Sequence, residues 1–415
     1  SCGASGDIFN WVMETQKVDF SEALKILAAQ AGVELKAGRR EPGQSMKATH
    51  EAMMKAAYEF FIKQLDLSVT AKAYCAQRGL EPDVLEAWGI GYGPDEGSAL
   101  AVTLRKQGFS LTEAQSLFLV DQDSSGGFFD RFRGRLIIPI LDERGRVVAF
   151  GGRIIGAGQP KYINSSDTPL YHKSDLLFGL NRAKEVMPKK GRAVLVEGYM
   201  DVIACHRAGM TEAVASLGTA LTEQQVRLLK RWTSQVVVLY DRDEAGQKAA
   251  EKACEMLAAE GVIARVALPP PGEDPDSLLA KKGAAGVLAL LDEAVSPIRF
   301  KLIRLDERKK PPDPGYWDEV AEALALARTH MELEEHLPAL VAMVPDAADK
   351  ASAMAALRRM AGQAKKRTNA GGSARVEQEA PSIEEDTALK LAPSQLWSEG
   401  AILRALLVPA FSGLA

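Results

Sequence analysis

Residues 236–246, VVVLYDRDEAG, open as a run of β-branched and aliphatic residues and stop on two aspartates one residue apart. The run reads as a buried strand, and the EAGQKAAEKACEML that begins at Glu244 reads as a helix. Side chains at i and i+2 of an extended segment point the same way, so Asp241 and Asp243 are expected to present their carboxylates together. Two unit charges about 4 Å apart repel by roughly 4 kcal/mol at an effective dielectric of about 20. A divalent cation, a nearby arginine, a shared proton or a solvated turn opening a helix would each relieve that cost. The pair of aspartates does not choose among them.

The flanking sequence supplies a frame. From residue 193, AVLVEG reads as a strand, YMDVIACHRAG as a helix, EAVASLGT as a strand, TEQQVRLLKRW as a helix, QVVVLYD as a strand, EAGQKAAEKACEMLAAEG as a helix and ARVAL as a strand. Strict β-α alternation implies a parallel sheet with right-handed crossovers, and such sheets carry their sites at the carboxyl ends of the strands. Glu197 ends the first strand, Asp241 and Asp243 end the third, and Asp274 and Asp276 of GEDPDSLL follow the fourth. All five are expected along one edge. DPDS also reads as a helix start, with Asp274 as N-cap and Pro275 at the first helical position. Oxygen ligands of this kind suit Mg²⁺ or Mn²⁺, which keep waters and bind through a few carboxylates and substrate phosphates.

Upstream, residues 19–35 have helical spacing, KAGRREPGQS (36–45) reads as a linker, and helices are expected over 46–64, 68–78, 97–107 and 111–117. Strands follow at LIIPI (136–140) and VVAFGGR (147–153), joined by the turn DERG. Residues 283–365 read as helical. The stretch from Lys365 to Ser394 has a linker's composition, and LWSEGAILRALLVPA (396–410) starts an amphipathic helix.

The 415 residues allow two or three domains, and 47% hydrophobic with 26% charged residues describe an ordinary soluble globular chain. No apolar run reaches a membrane span and no secretory segment opens the chain, so a cytoplasmic location is expected. Cys2, Cys75, Cys205 and Cys254 are scattered without a CxxC pair, which offers neither a disulfide framework nor a complete zinc site. Cys205 and Cys254 read as helix-core residues. The net charge of −4 is unevenly spread: residues 130–192 hold 13 Lys/Arg against 6 Asp/Glu, a local +7. One basic face is the footprint expected of a chain that meets phosphates.

VEGYMD (196–201), YDRDEAG (240–246) and GEDPD (272–276) together resemble the TOPRIM domain. DRFRGRLIIPILDERGRVVAFGGR (130–153), PKYINSSDTPLYHKSDLLFGL (160–180) and ASLGTALTEQQ (215–225) narrow the resemblance to the catalytic core of the bacterial DnaG-type DNA primase, from about residue 1 to about residue 365. The fold this implies is α/β: a TOPRIM-type parallel sheet flanked by helices, preceded by a mixed α+β basic subdomain and followed by a helical subdomain. The expected divisions are the end of a zinc-ribbon domain and a helix at 1–36, the basic subdomain of an RNA polymerase core at 37–190, TOPRIM at 191–282, a helical subdomain at 283–365, a flexible linker at 366–394 and the start of a helicase-binding domain at 395–415.

The resemblance implies that Glu197, Asp241 and Asp243 hold two catalytic divalent ions, Mg²⁺ or Mn²⁺, with Asp201, Asp274 and Asp276 in support. It also implies that Arg131, Arg133, Arg153, Lys161, Asn164 and Lys173 form a basic ridge for template and nucleotide phosphates; RFRGR read by itself could equally be a charged guard before an aggregation-prone strand. His172 and Tyr199 read as packing or positioning residues. CGASGDIFNWVM (2–13) resembles the end of the family's zinc ribbon, with Cys2 as its last ligand. One thiolate cannot build the usual four-coordinate site, so zinc is expected in the full-length protein but not here, and the chain is expected to be truncated at both ends.

The implied activity is DNA primase: DNA-templated synthesis of short RNA primers by metal-dependent nucleotidyl transfer. The implied partners are single-stranded DNA, ribonucleoside triphosphates, the RNA–DNA hybrid and the replicative helicase, for a monomer working at the replication fork on the nucleoid. A TOPRIM nuclease or topoisomerase would use the same acids to cleave DNA, but would lack the basic segment before them, and a topoisomerase would need a nucleophilic tyrosine elsewhere. A non-catalytic DNA-binding replication factor would be expected to have lost the acids, which are intact.

Overall fold

The computed structural model describes residues 8–16, 18, 20–31, 42–156, 158–217, 220–310, 313, 315–343 and 350–377. Cys2, most of the expected linker and the last expected helix lie outside the described residues. Contacts divide the chain into two compact units, residues 45–374 and a smaller one formed by both ends. In the smaller unit, helices Ile8–Gln16 and Phe20–Gln30 bury Val12, Ala23 and Leu27 against each other.

Among the described residues ten strands organise the larger unit: β1 (Gly91–Gly93), β2 (Val120–Gln122), β3 (Phe128–Asp130), β4 (Arg135–Leu141), β5 (Val147–Ile154), β6 (Tyr162–Asn164), β7 (Ala193–Val196), β8 (Ala213–Ala215), β9 (Gln235–Val238) and β10 (Ile263–Val266). They form an antiparallel sheet of order β1-β4-β5-β6, a parallel sheet of order β10-β9-β7-β8 and the ribbon β2-β3. The parallel sheet is the one the β-α alternation predicts. Val236, Val237 and Val238 are buried because helices cover both faces of β9, which is why that strand reads as a continuous apolar run.

One hydrophobic cluster contains Leu136 and Ile138 of β4, Val194 and Val196 of β7, Ile203 of helix Tyr199–Arg207 and Leu278 of helix Pro275–Asp292. The two sheets therefore share a core, and residues from both can reach one cleft. Helices Pro297–Arg308, Tyr316–Leu324 and His330–Val341 bury a separate cluster around Tyr316 and Leu337.

Two boundaries differ from the sequence reading. The helix expected to start at 46 starts at Pro42, inside the expected linker, since proline at a first helical position loses no hydrogen bond. At the other end the helix Lys350–Glu377 runs past residue 366, where a linker was expected. Lys366, Arg367, Ala370, Ala374 and Arg375 are the residues there that favour helix, against Gly371 and Gly372. No helix among the described residues is long and apolar enough to cross a membrane.

Candidate active site

The carboxyl ends of β7 and β9 are tied together by the acids themselves. Leu239 continues the β9 pairing, its N–H donating to the Leu195 carbonyl at 2.8 Å, and two residues later the Asp241 N–H donates to Glu197 Oε1 at 3.0 Å. Asp201 sits in the first turn of helix Tyr199–Arg207, its Oδ2 accepting from the Gly198 N–H at 3.1 Å. Gly246 is what lets these groups close up: a Cβ there would lie 2.4 Å from the Asp241 carbonyl oxygen and 2.7 Å from Glu197 Oε1.

Two of the other acids are helix caps. Asp243 Oδ1 accepts from the Gly246 N–H at 2.7 Å and starts helix Glu244–Ala259. Asp274 Oδ1 accepts from the Ser277 N–H at 2.6 Å, with Pro275 at the first helical position, as DPDS suggested. Asp276 pairs with Arg78, whose Nη2 lies 2.9 Å from Asp276 Oδ2.

Glu197, Asp201, Asp241, Asp274 and Asp276 line one cleft of about 740 Å³, and Arg153, Lys161 and Asn164 line it with them. Asp243 is exposed and does not line it, although its charge acts on both Glu197 and Asp241. The expected row of five acids is thus four in the cleft plus Asp201, with Asp243 beside them.

Burial pushes the Glu197 carboxyl above its ordinary range, and Asp241 and then Asp243 push it further. Asp241 is raised by burial, Asp274 and Asp243, against the pull of Lys161. Asp201, the most deeply set, is held well above the usual carboxylate range by burial and then by Asp241 and Asp274. So many acids in one cleft are costly unless a cation joins them. Among the described residues no group of three or more His, Cys, Asp or Glu side chains is arranged to hold a metal ion by itself. An open, carboxylate-walled cleft still fits a hard cation such as Mg²⁺, which binds through one or two carboxylates and completes its shell with water and substrate phosphate.

The basic residues separate into groups. Arg153 is buried on β5, its Nε donating to the Tyr74 hydroxyl at 2.7 Å and its Nη1 to the Tyr162 hydroxyl, whose pKa is pushed up to about 12 chiefly by burial. Lys161 is exposed at the cleft. Asn164 donates to the Leu217 carbonyl, and its buried Oδ1 has no hydrogen-bond partner among the described residues. Buried Tyr199 also lines the cleft, its hydroxyl without a hydrogen-bond partner among the described residues.

Arg131, Arg133 and Lys173 do not line the cleft. The Arg131 guanidinium lies 2.5 Å from Asp121 and stacks 4.0 Å from the Phe118 ring centre. Arg133 lies over Phe129. Lys173 opens a single 3-10 turn, where its carbonyl accepts from Gln225 Nε2 at 3.0 Å. His172 is exposed beside Asp167, and Cys205 and Cys254 are buried free thiols inside helices.

Three arginines escaped the sequence reading. Arg78 and Arg207 line the cleft, and buried Arg135 donates to the carbonyls of Gly152, Pro160 and Lys161, which fixes the segment carrying Lys161. Only the RGR pattern around Arg135 offered a signal. Arg78 precedes the turn glycine Gly79 and reads as an ordinary helix end.

Comparison with known proteins matches three families: the DNA primase catalytic core, N-terminal domain, over residues 60–184; a Toprim-like family over 194–279; and the CHC2 zinc finger over 1–42. Within residues 1–42 the sole cysteine or histidine is Cys2, a donor set that does not fit a four-ligand zinc site. A DNA primase of Halalkalibacterium halodurans is 35% identical over 348 residues, covering 81% of this chain and 58% of that protein. The chain spans about half the length of the curated relatives it matches.

Among solved structures, the zinc-binding and RNA polymerase domains of the Aquifex aeolicus primase align with a TM-score of 0.61 at 30% identity, covering 81% of each chain. A DnaG primase catalytic domain bound to single-stranded DNA aligns with a TM-score of 0.60 at 31% identity, covering 77% of this chain and 99% of that one.

Proposed function

This chain belongs to the bacterial DnaG-type DNA primase family, and from that premise we propose that its cleft is the catalytic centre of a DNA-templated RNA polymerase that makes primers on single-stranded DNA. The observation that carries this reading is the convergence of two chemistries on one cleft, lined by the acids that follow the parallel strands and by Arg153, Asn164 and the adjoining Lys161 from the antiparallel sheet. The solved DnaG catalytic domain bound to single-stranded DNA supports a template strand as partner.

Glu197, Asp201, Asp241, Asp274 and Asp276, with Asp243 acting from outside, are the groups that would hold divalent ions, and Mg²⁺ or Mn²⁺ suits their oxygen chemistry. Such ions, when bound, activate the attacking 3′-hydroxyl and neutralise the charge that builds on the leaving pyrophosphate. The protein's own residues position the reactants. Lys161 meets phosphate as an exposed point charge. Arg153 is pre-set by its two tyrosine hydroxyls, so little rotamer freedom remains to be lost on binding. The unpartnered Asn164 Oδ1 and Tyr199 hydroxyl offer an acceptor and a donor to a nucleotide. Contacts to the backbone suit a polymerase that must accept many templates.

Ribonucleoside triphosphates, the RNA–DNA hybrid and the replicative helicase are the remaining partners in this reading, for a monomer at the replication fork. Labelled ribonucleotides incubated with the chain, Mg²⁺ and a single-stranded template test it. Template-dependent incorporation is expected; strand cleavage without incorporation would favour a TOPRIM nuclease.

A further inference from the structure

We propose that Arg207 completes a phosphate-binding arm at the end of the cleft away from Asp201. Arg207 is the last residue of helix Tyr199–Arg207, whose first turn carries Asp201. At 1.5 Å per residue the two are separated by about 9 Å along the helix axis. The helix therefore presents an acid at one end of the cleft and a cation at the other.

The Arg207 side chain is exposed, and among the described residues it forms neither a hydrogen bond nor an ion pair. Its guanidinium lies against the turn after helix Val69–Gln77, 3.8 Å from where a Cβ on Gly79 would stand. That places it beside Arg78. Asp276 feels Arg78, Arg153 and Arg207 together, but its hydrogen bond goes to Arg78. The Arg153 hydrogen bonds go to tyrosine hydroxyls and not to a carboxylate. With Asp201 and Asp274 acting on the same cluster, three guanidiniums meet three carboxylates here, and of the three Arg207 alone has no hydrogen-bonded partner among the described residues.

An unengaged planar donor fork at the rim of a concave site recognises phosphate oxygens, which a guanidinium meets bidentately. The phosphate could belong to a nucleoside triphosphate or to the backbone of a nucleic-acid strand. The catalytic purpose of the arm rests on the polymerase reading, whereas the anion contact does not. A helix C-terminus favours a cation without any ligand, which is the alternative to be separated.

The test compares wild type with Arg207→Gln and Arg207→Lys in the full chain. One arm measures affinity for tripolyphosphate and for ATP; the other measures a fluorescein-labelled single-stranded oligodeoxynucleotide over a salt series. Arg207→Gln is expected to weaken one of the two ligand types on the order of tenfold, as loss of a charge-assisted hydrogen bond does, with Arg207→Lys in between and melting temperatures equal. Loss confined to tripolyphosphate and ATP identifies the triphosphate. Loss confined to the oligonucleotide, with its salt slope reduced by about 0.7, identifies a strand phosphate. Unchanged affinity in both arms overturns the proposal, as does an equal loss in both variants with a lowered melting temperature. Binding through Arg207 without ribonucleotide incorporation by the wild type would overturn the polymerase reading and leave the arm standing.

Discussion

Glu197 accepts a hydrogen bond from the backbone N–H of Asp241, 44 residues further along the chain, and the two carboxylates raise the cost of ionisation in one cleft. A backbone donor fixes Glu197 without neutralising it. The carboxylate thus stays in place with its charge available for a cation.

The approach of these two residues depends on Gly246. Gly246→Ala would drive a methyl group into the Asp241 carbonyl and the Glu197 carboxylate, which side-chain rotation of the alanine cannot relieve. A stability loss of about 1–3 kcal/mol in denaturant titration is expected, together with loss of Mg²⁺-dependent activity. Wild-type stability would show that the helix start is looser than described.

Asp243 has a second duty that Asp241 lacks. Asp243→Ala removes the cap of helix Glu244–Ala259 and is expected to cost about 1 kcal/mol, whereas Asp243→Asn retains a capping oxygen and should keep most of that stability. Equal stability of the two variants would show that the cap contributes nothing.

The expected basic ridge is predicted to divide into a phosphate contact, Lys161, and a structural cation, Arg131. Lys161→Ala is expected to weaken single-stranded DNA binding and lower the salt slope by about 0.7. Arg131→Ala is expected to leave the slope unchanged and lower the melting temperature, because Arg131 is already paired with Asp121 and stacked on Phe118. Equal slope changes in both would restore Arg131 to the ridge.

His206 ties acid stability to burial. Its Nε2 lies 3.0 Å from the Ala213 carbonyl oxygen, and burial holds its pKa below the ordinary 6.5. With the folded value depressed, the contribution is complete above the unfolded pKa and is lost as pH falls through the folded one. The stability advantage of wild type over His206→Gln should therefore shrink between about pH 7.5 and about pH 5. A pH-independent difference would contradict the assignment.

Much of this was readable from local pattern. The β-α alternation predicted the parallel sheet, and the strand ends located Glu197 and Asp241, because both depend on neighbours within a few residues. The Arg78–Asp276 pair joins residues 198 apart and leaves no local trace. Likewise RFRGR announced charge, but the Arg131 partner, Asp121, lies on β2 and could not be read from the motif. Alternation put Asp241 and Asp243 on one side, but β9 ends at Val238, and Asp243 turns to cap its own helix while Asp241 lines the cleft.

The most direct test is the rate of Mg²⁺-dependent extension of an RNA primer annealed to a DNA template, measured for wild type and Asp241→Asn. The account predicts extension by wild type and a rate about a thousandfold lower for the variant, equivalent to roughly 4 kcal/mol of transition-state stabilisation, with unchanged melting behaviour. Extension by Asp241→Asn at the wild-type rate would contradict it.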